Sequence, residues 1–161
     1  NKNSIGIEIS NPGHDFNYKR FSKKQIQSIK KLSRFLIKKY KIDQKNILGH
    51  SDIAPNRKKD PGEKFPWKYL AKFRIGNWHS LSVKTLVKNR RKKINSTDKE
   101  FFFGYLSKIG YSIKNSTKLK KDEFSIFLIS AFQRRFRQEL INGKIDQECL
   151  LISKNLAKKL N

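Results

Sequence analysis

The stretch Gly49-His50-Ser51-Asp52-Ile53-Ala54-Pro55-Asn56-Arg57-Lys58-Lys59-Asp60-Pro61-Gly62 gathers a histidine, a lysine and a carboxylate in one segment punctuated by proline and glycine. His50 and Asp60 are ordinary ligand types for zinc, whose catalytic sites keep three protein ligands and leave one position for water. Lys58, two residues before Asp60, is a cation able to hold negative charge developing on a substrate oxygen beside such a metal. The plainer reading is a solvated loop with a chance histidine and an Asp-Pro-Gly turn. A second unusual residue is Glu8, the one acid in Ser4-Ile5-Gly6-Ile7-Glu8-Ile9-Ser10. The plainer reading of Glu8 is an exposed strand carboxylate.

The elements that must position these groups follow from apolar spacing. Residues 4–10 alternate apolar and polar, which predicts a half-buried strand with Ile5, Ile7 and Ile9 facing the core and Glu8 on the other face. Ser22 and Gln25 form a capping-box pattern. Behind it, Ile26, Ile29, Leu32, Phe35, Leu36 and Tyr40 recur at helical spacing, predicting a helix over about 23–41 with lysines on its other face. Asn46-Ile47-Leu48-Gly49 predicts a short strand that delivers His50 to its loop, and Pro66 opens a short helix ending near Gly76. Residues 77–96 predict a connector whose charge run is Asn89-Arg90-Arg91-Lys92-Lys93. Beyond it, Thr97 with Glu100 opens a helix that Gly110 ends. Phe124, Leu128, Phe132 and Phe136 step by four through a helix over about 121–140, and Asp146 caps a last helix over about 147–160.

Composition bounds the alternatives. The chain has 161 residues, room for one ordinary domain or two small ones, and no apolar run long enough for a membrane span. It has no methionine and no signal-peptide pattern, so it is expected to be an internal or C-terminal piece of a longer product. A single Cys149 excludes an internal disulfide framework and sits in an apolar helical context that suits a buried structural thiol. The formal net charge of +25 is spread evenly over both halves and attracts polyanions such as nucleic acid, anionic lipid or an acidic wall polymer. The same lysine richness also fits a coding bias of an AT-rich bacterial genome. Nucleic-acid binding would rest on charge alone, because no interleaved aromatic-basic strand motif or zinc-finger spacing is present.

Three separated segments carry a resemblance to a known family: Ser4 through His14, His50 through Gly62, and Phe65-Pro66-Trp67 with Ile75-Gly76. They resemble, in order and spacing, the zinc-dependent N-acetylmuramoyl-L-alanine amidases of the type 2 family, and within it the AmiD-type enzymes. A fourth segment, Ala131-Phe132-Gln133-Arg134-Arg135-Phe136-Arg137, resembles the helical peptidoglycan-binding-like domain that follows the catalytic domain in those enzymes. The resemblance implies an α/β fold, with a mixed β-sheet flanked by helices whose N-terminal strands are missing from this chain, followed by a small all-α three-helix domain. Residues 1–79 would be the C-terminal part of the catalytic domain, 80–96 the connector and 97–161 the helical domain.

The resemblance also assigns roles. His50 and Asp60 match zinc ligands, Lys58 an oxyanion-stabilising lysine, and Glu8 a general base and proton shuttle. The implied reaction is zinc-assisted hydrolysis of the amide between N-acetylmuramic acid and L-alanine, in peptidoglycan or in muropeptides. Asn11 and Arg57 are weaker substrate-binding candidates, since a guanidinium fork suits a stem-peptide carboxylate. Trp67 reads as packing, and His14 and His79 are not expected to bind zinc. The family's first zinc histidine lies upstream of SIGIEIS and has no counterpart here. A non-covalently associated N-terminal fragment of the same protein is therefore the expected partner, and this chain alone is expected to cleave nothing. The rival expectation is a non-catalytic peptidoglycan-binding protein that retains an amidase-like domain. The AmiD-type match favours the periplasmic side of the bacterial envelope over the cytoplasm.

Overall fold

The computed structural model describes residues 3–114 and 119–160; Asn1, Lys2, residues 115–118 and Asn161 lie outside the described residues. The described chain is built of helices: α1 (Lys23–Tyr40), α2 (His50–Ile53), α3 (Trp67–Ala71), α4 (Val83–Asn89), α5 (Ser96–Lys108), α6 (Lys121–Phe136) and α7 (Gln147–Lys158), with 3-10 turns at His14–Phe16 and Gln44–Asn46. No β-strand occurs among the described residues. The expected mixed sheet is thus corrected to an all-helical architecture.

The physical reason is pairing. Alternation marks which side chains could share a face, but a strand also needs a neighbouring chain to take its backbone N–H and C=O groups. Residues 4–10 have no such neighbour among the described residues. Ile5 and Ile7 remain 51% and 39% exposed, while Ile9 packs against buried apolar side chains. The segment is held at its end by the Gln25 side chain, whose Nε2 donates to Ser10 O at 2.7 Å. The second expected strand, 46–49, is displaced by the turn at Gln44–Asn46, which Asp43 caps through its bond from Lys45 N. His50 then opens a turn of helix instead of a loop.

Helix boundaries follow side-chain caps. Ser22 accepts from Gln25 N while Gln25 Oε1 accepts from Ser22 N, so the capping box opens α1 where its pattern stands in the sequence. Asp146 accepts from Cys149 N and opens α7. Helix α5 starts two residues earlier than the Thr97 pattern, because Asn95 takes the cap by accepting from Asp98 N. The expected connector contains α4, capped by Ser82. Helix α6 ends at Phe136, short of 140.

Two apolar cores result. Phe102, Leu106, Phe124, Leu128, Phe132 and Ile152 centre the larger one, among α5, α6 and α7. Ile29, Phe65, Trp67, Leu70 and Ile75 form the smaller one between α1 and α3, and Trp78 touches both. Cys149 is fully buried in the larger core, and burial pushes its thiol up to about 12, which makes it inert packing. The stripe on α1 is only partly used: Ile29 is buried, while Leu32, Phe35 and Tyr40 stay exposed.

Buried polar groups tie the helices together. Arg137 pairs with Asp146 and donates to Asn142 Oδ1 at 3.0 Å. Glu148 accepts from both Nε and Nη2 of Arg90 at 2.7 Å, which ties the Asn89–Lys93 charge run to the fold. Gln133 Oε1 accepts from the backbone of Asn142 and Gly143. None of the described helices is long and apolar enough to cross a membrane.

His79 is buried beside Trp78, and neither ring nitrogen has a hydrogen-bond partner of normal geometry among the described residues. Burial, and then the nearby Lys68 charge, depress its pKa from 6.5 to about 4. The unfolded chain takes up this proton first. The stabilisation from a neutral His79 is therefore complete above pH 6.5 and is lost as pH falls toward 4, a loss of about 3 kcal/mol. Urea unfolding of the unaltered protein and of His79→Phe, followed from pH 7 to pH 4, should show the variant losing less stability on acidification by about that amount. Parallel pH dependence of the two proteins would exclude His79 as the source.

Candidate active site

His50 is the first residue of α2, and its position is set from both sides. Gly49, just before it, donates its N–H to Asp52 Oδ2 at 2.7 Å, so the first turn closes on a buried carboxylate. Ser51, just after it, donates its N–H to Asp60 O at 2.9 Å. That bond brings the end of the loop back to the start of the helix. As a result His50 Nδ1 lies 3.0 Å from Asp60 Oδ2, across ten residues of chain.

Close packing enforces the return. A Cβ on Gly49 would come within 2.7 Å of Pro61 Cδ and 3.4 Å of Trp67, so no larger residue fits there without displacing the loop. Gly62, at φ +79°, lies under the Tyr18 hydroxyl, where a Cβ would sit 2.6 Å from the oxygen. Tyr18 in turn donates to Pro61 O at 2.7 Å and accepts from Lys64 N at 2.9 Å. Burial pushes the Tyr18 phenol up to about 12, so it stays a neutral donor to the loop. Next to it, His14 Nε2 lies 2.9 Å from Glu63 Oε2. Burial, the largest single influence, would raise Glu63, but the bond from His14, its own backbone N–H and the His14 and Arg134 charges together outweigh it and hold the carboxyl below its usual value.

The remaining site candidates are placed as follows. Lys58 is half-buried in the same loop, its N–H bonded to Ala54 O at 3.0 Å, and Arg57 is exposed beside it. Glu8 is exposed on the unpaired segment 4–10. Asn11 spends its side chain on its own loop, donating to Lys19 O and accepting from Gly13 N, both at 3.0 Å. Trp67 is buried and packs under the loop. Beyond Pro61 the chain borders an open groove of about 310 Å³ whose lining includes Arg20, Lys64, Lys68 and Lys72.

The donor set of the pair suits zinc: an imidazole nitrogen and a carboxylate oxygen, converging and partly open to solvent. Among the described residues no third His, Cys, Asp or Glu joins them.

Sequence reasoning missed the groups that hold this pair from behind. Asp52 is buried, accepts the Tyr111 hydroxyl at 2.5 Å, and forms an ion pair with Arg135 of α6. Arg135 also donates from Nη2 to Ile47 O at 2.9 Å and stacks on Trp67 at 4.1 Å. Asp52 did carry a local signal, since it stands at the third position after the Gly49 cap. Arg135 lies 83 positions away and carried none.

Comparison with known proteins places this helix-borne histidine and loop carboxylate in a wider class. Residues 1–63 match the Amidase_2 family, N-acetylmuramoyl-L-alanine amidase. The first 63 residues are thus Amidase_2-like, and the chain along nearly its whole length is AmiD-like. It is 34% identical to N-acetylmuramoyl-L-alanine amidase AmiD of Escherichia coli over 164 residues, 99% of this chain and 58% of that protein. It is 43% identical to 1,6-anhydro-N-acetylmuramyl-L-alanine amidase AmpD of Escherichia coli over 72 residues, 45% of this chain and 36% of that protein.

Solved structures agree. The complex of AmiD from Escherichia coli with the substrate anhydro-N-acetylmuramic acid-L-Ala-D-gamma-Glu-L-Lys matches with a TM-score of 0.74 and 31% identity, over 89% of this chain and 55% of that one. AmpDh3 from Pseudomonas aeruginosa matches with a TM-score of 0.73 and 30% identity, over 91% of this chain and 57% of that one. The chain therefore spans a little over half the length of the relatives it follows from end to end.

Proposed function

We propose that the protein containing this chain is a zinc-dependent amidohydrolase that cuts the amide bond between N-acetylmuramic acid and L-alanine. The observation that carries the reading is the His50–Asp60 convergence at 3.0 Å, in a chain whose first 63 residues match an amidase family. A segment outside residues 1–161 would supply the third ligand, a histidine. When bound, zinc would lower the pKa of water and polarise the scissile carbonyl.

Every other step falls to side chains of this chain. Glu8 accepts the proton of the attacking water and returns it to the leaving amine as the C–N bond breaks. The Lys58 ammonium faces the carbonyl oxygen as charge builds there, a type of contact worth about 3–4 kcal/mol when a single donor is removed. Arg57, exposed beside Lys58, and the cations of the adjoining groove suit stem-peptide carboxylates. Asn11 orders the loop after residue 10 and would reach substrate only through that loop. The solved relatives bound to an anhydro-muramyl tripeptide and to an anhydromuramic pentapeptide support a muropeptide substrate, and the periplasmic face is the proposed compartment.

The wall-binding alternative finds less support in the helical part. The polar side chains of Ala131–Arg137 that suggested it are largely spent inside: Gln133, Arg135 and Arg137 are all buried. A wall-gripping surface would have to be made by other residues.

The direct test is to incubate the full-length protein with an anhydro-muropeptide and follow the products by mass spectrometry. Free peptide beginning with L-alanine, loss of its release on chelation and recovery on adding zinc are expected. Cleavage that ignores the chelator, or no cleavage after zinc is restored, would defeat the reading.

A further inference from the structure

One guanidinium reaches past the candidate metal ligand on both sides. Arg135, at 4% side-chain exposure, contacts Ile47 O three residues before His50 and Asp52 two residues after it. Its flat face rests on Trp67, 4.1 Å from the ring centre, so the fork cannot swing away without losing a stacking surface. Asp52 relays the grip: one oxygen accepts Gly49 N–H and Arg135, the other the Tyr111 hydroxyl at 2.5 Å. Arg135 and Tyr111 both belong to the helical layer, whereas Gly49 and Asp52 bracket His50. The pair Asp52–Arg135 is fully desolvated, and such pairs fix geometry more surely than they add stability.

We propose that Arg135, with Tyr111, is a positioning residue for the metal-ligand loop, acting through Asp52 to set the angle at which His50 meets Asp60. The helical layer is then a working part of the metal centre and not a separable module. This rests on the assignment of His50 and Asp60 as zinc ligands made above. Among the described residues, no hydrogen bond or ion pair joins Arg135 or Tyr111 directly to His50 or Asp60. Their effect reaches the site through two backbone bonds, Gly49 N–H to Asp52 and Ser51 N–H to Asp60 O. A lysine at 135 keeps the charge but cannot serve Asp52 and Ile47 O together from one planar fork.

The test uses the full-length protein, Arg135→Lys, Tyr111→Phe as a milder second variant, and Arg137→Lys as a control. Arg137 makes an equally buried ion pair, with Asp146, away from the loop. Zinc affinity is measured by chelator competition, and amide hydrogen exchange is read at Gly49 and Ser51. Arg135→Lys should weaken zinc binding about tenfold to a hundredfold, the range of outer-shell changes at metal sites. It should also speed exchange at both amides at least about tenfold, because local opening there no longer costs the Arg135 contacts. Tyr111→Phe should do both to a smaller extent, and Arg137→Lys neither.

Unchanged affinity and exchange in Arg135→Lys would overturn the proposal. So would equal changes in Arg137→Lys, which would reduce the effect to general destabilisation. Absence of zinc binding by the unaltered protein defeats the metal-ligand assignment instead, and the exchange rates then decide the hold of Arg135 on the loop by themselves.

Discussion

Glu8→Gln in the full-length protein should lower kcat for muropeptide cleavage by about 10²- to 10⁴-fold while leaving zinc in place. The size follows from the role. An amide has nearly the shape of a carboxylate but cannot take a proton from water, so the substitution removes the base and little else. Stability should hardly move, because Glu8 is exposed and makes no hydrogen bond or ion pair among the described residues. Elemental analysis and turnover, measured on the same preparation, check the two halves. Metal lost along with activity would make Glu8 a ligand and not a base; activity within a few-fold of the unaltered protein would remove it from the reaction.

The helical half of the chain was legible because its signals are local. The Ser22–Gln25 box, the Asp146 cap and the four-residue step from Phe124 to Phe136 each lie within one or two turns, and each stands where it was read. The sheet was misread for the opposite reason. Ile5, Ile7 and Ile9 carry the alternation of a strand, but the partner that would make it one is not among the described residues, and alternation alone forms no ladder. His50 was placed in a loop because proline and glycine follow it. The helical turn it opens is decided by Asp52 closing on Gly49 N–H, a cap easily passed over when the cap residue has no side chain.

Long-range polar pairs were invisible altogether. Arg135 stood in a motif read for its aromatic spacing, and nothing in Gln-Arg-Arg-Phe says that one arginine is half-buried while its neighbour is buried on Asp52. The evenly spread charge of +25 made every cation look like surface. The fold in fact spends Arg90, Arg135 and Arg137 on buried or half-buried carboxylates.

Asp60→Ala and His50→Ala should each lower zinc affinity by more than about a hundredfold and abolish turnover, beyond the tenfold to hundredfold range of outer-shell changes. With three protein ligands, removing either residue leaves two, too few to hold the ion against solvent. These losses should come with little unfolding. The two side chains are 51% and 59% exposed, and a pair so exposed contributes at most about 1 kcal/mol. The backbone bond from Ser51 N to Asp60 O survives either truncation, so the loop keeps its path.

Asp52→Ala, in the same loop, should behave in the opposite way. Its carboxylate is 4% exposed and neutralises Arg135, so deleting it strands a buried cation at a cost of about 3–5 kcal/mol. Denaturant unfolding beside zinc titration separates the two classes: metal lost from a stable protein for His50 and Asp60, stability lost first for Asp52. If Asp60→Ala retained zinc at unaltered affinity, the carboxylate beside His50 would be only a hydrogen-bond partner, and the ligand set would have to be sought elsewhere.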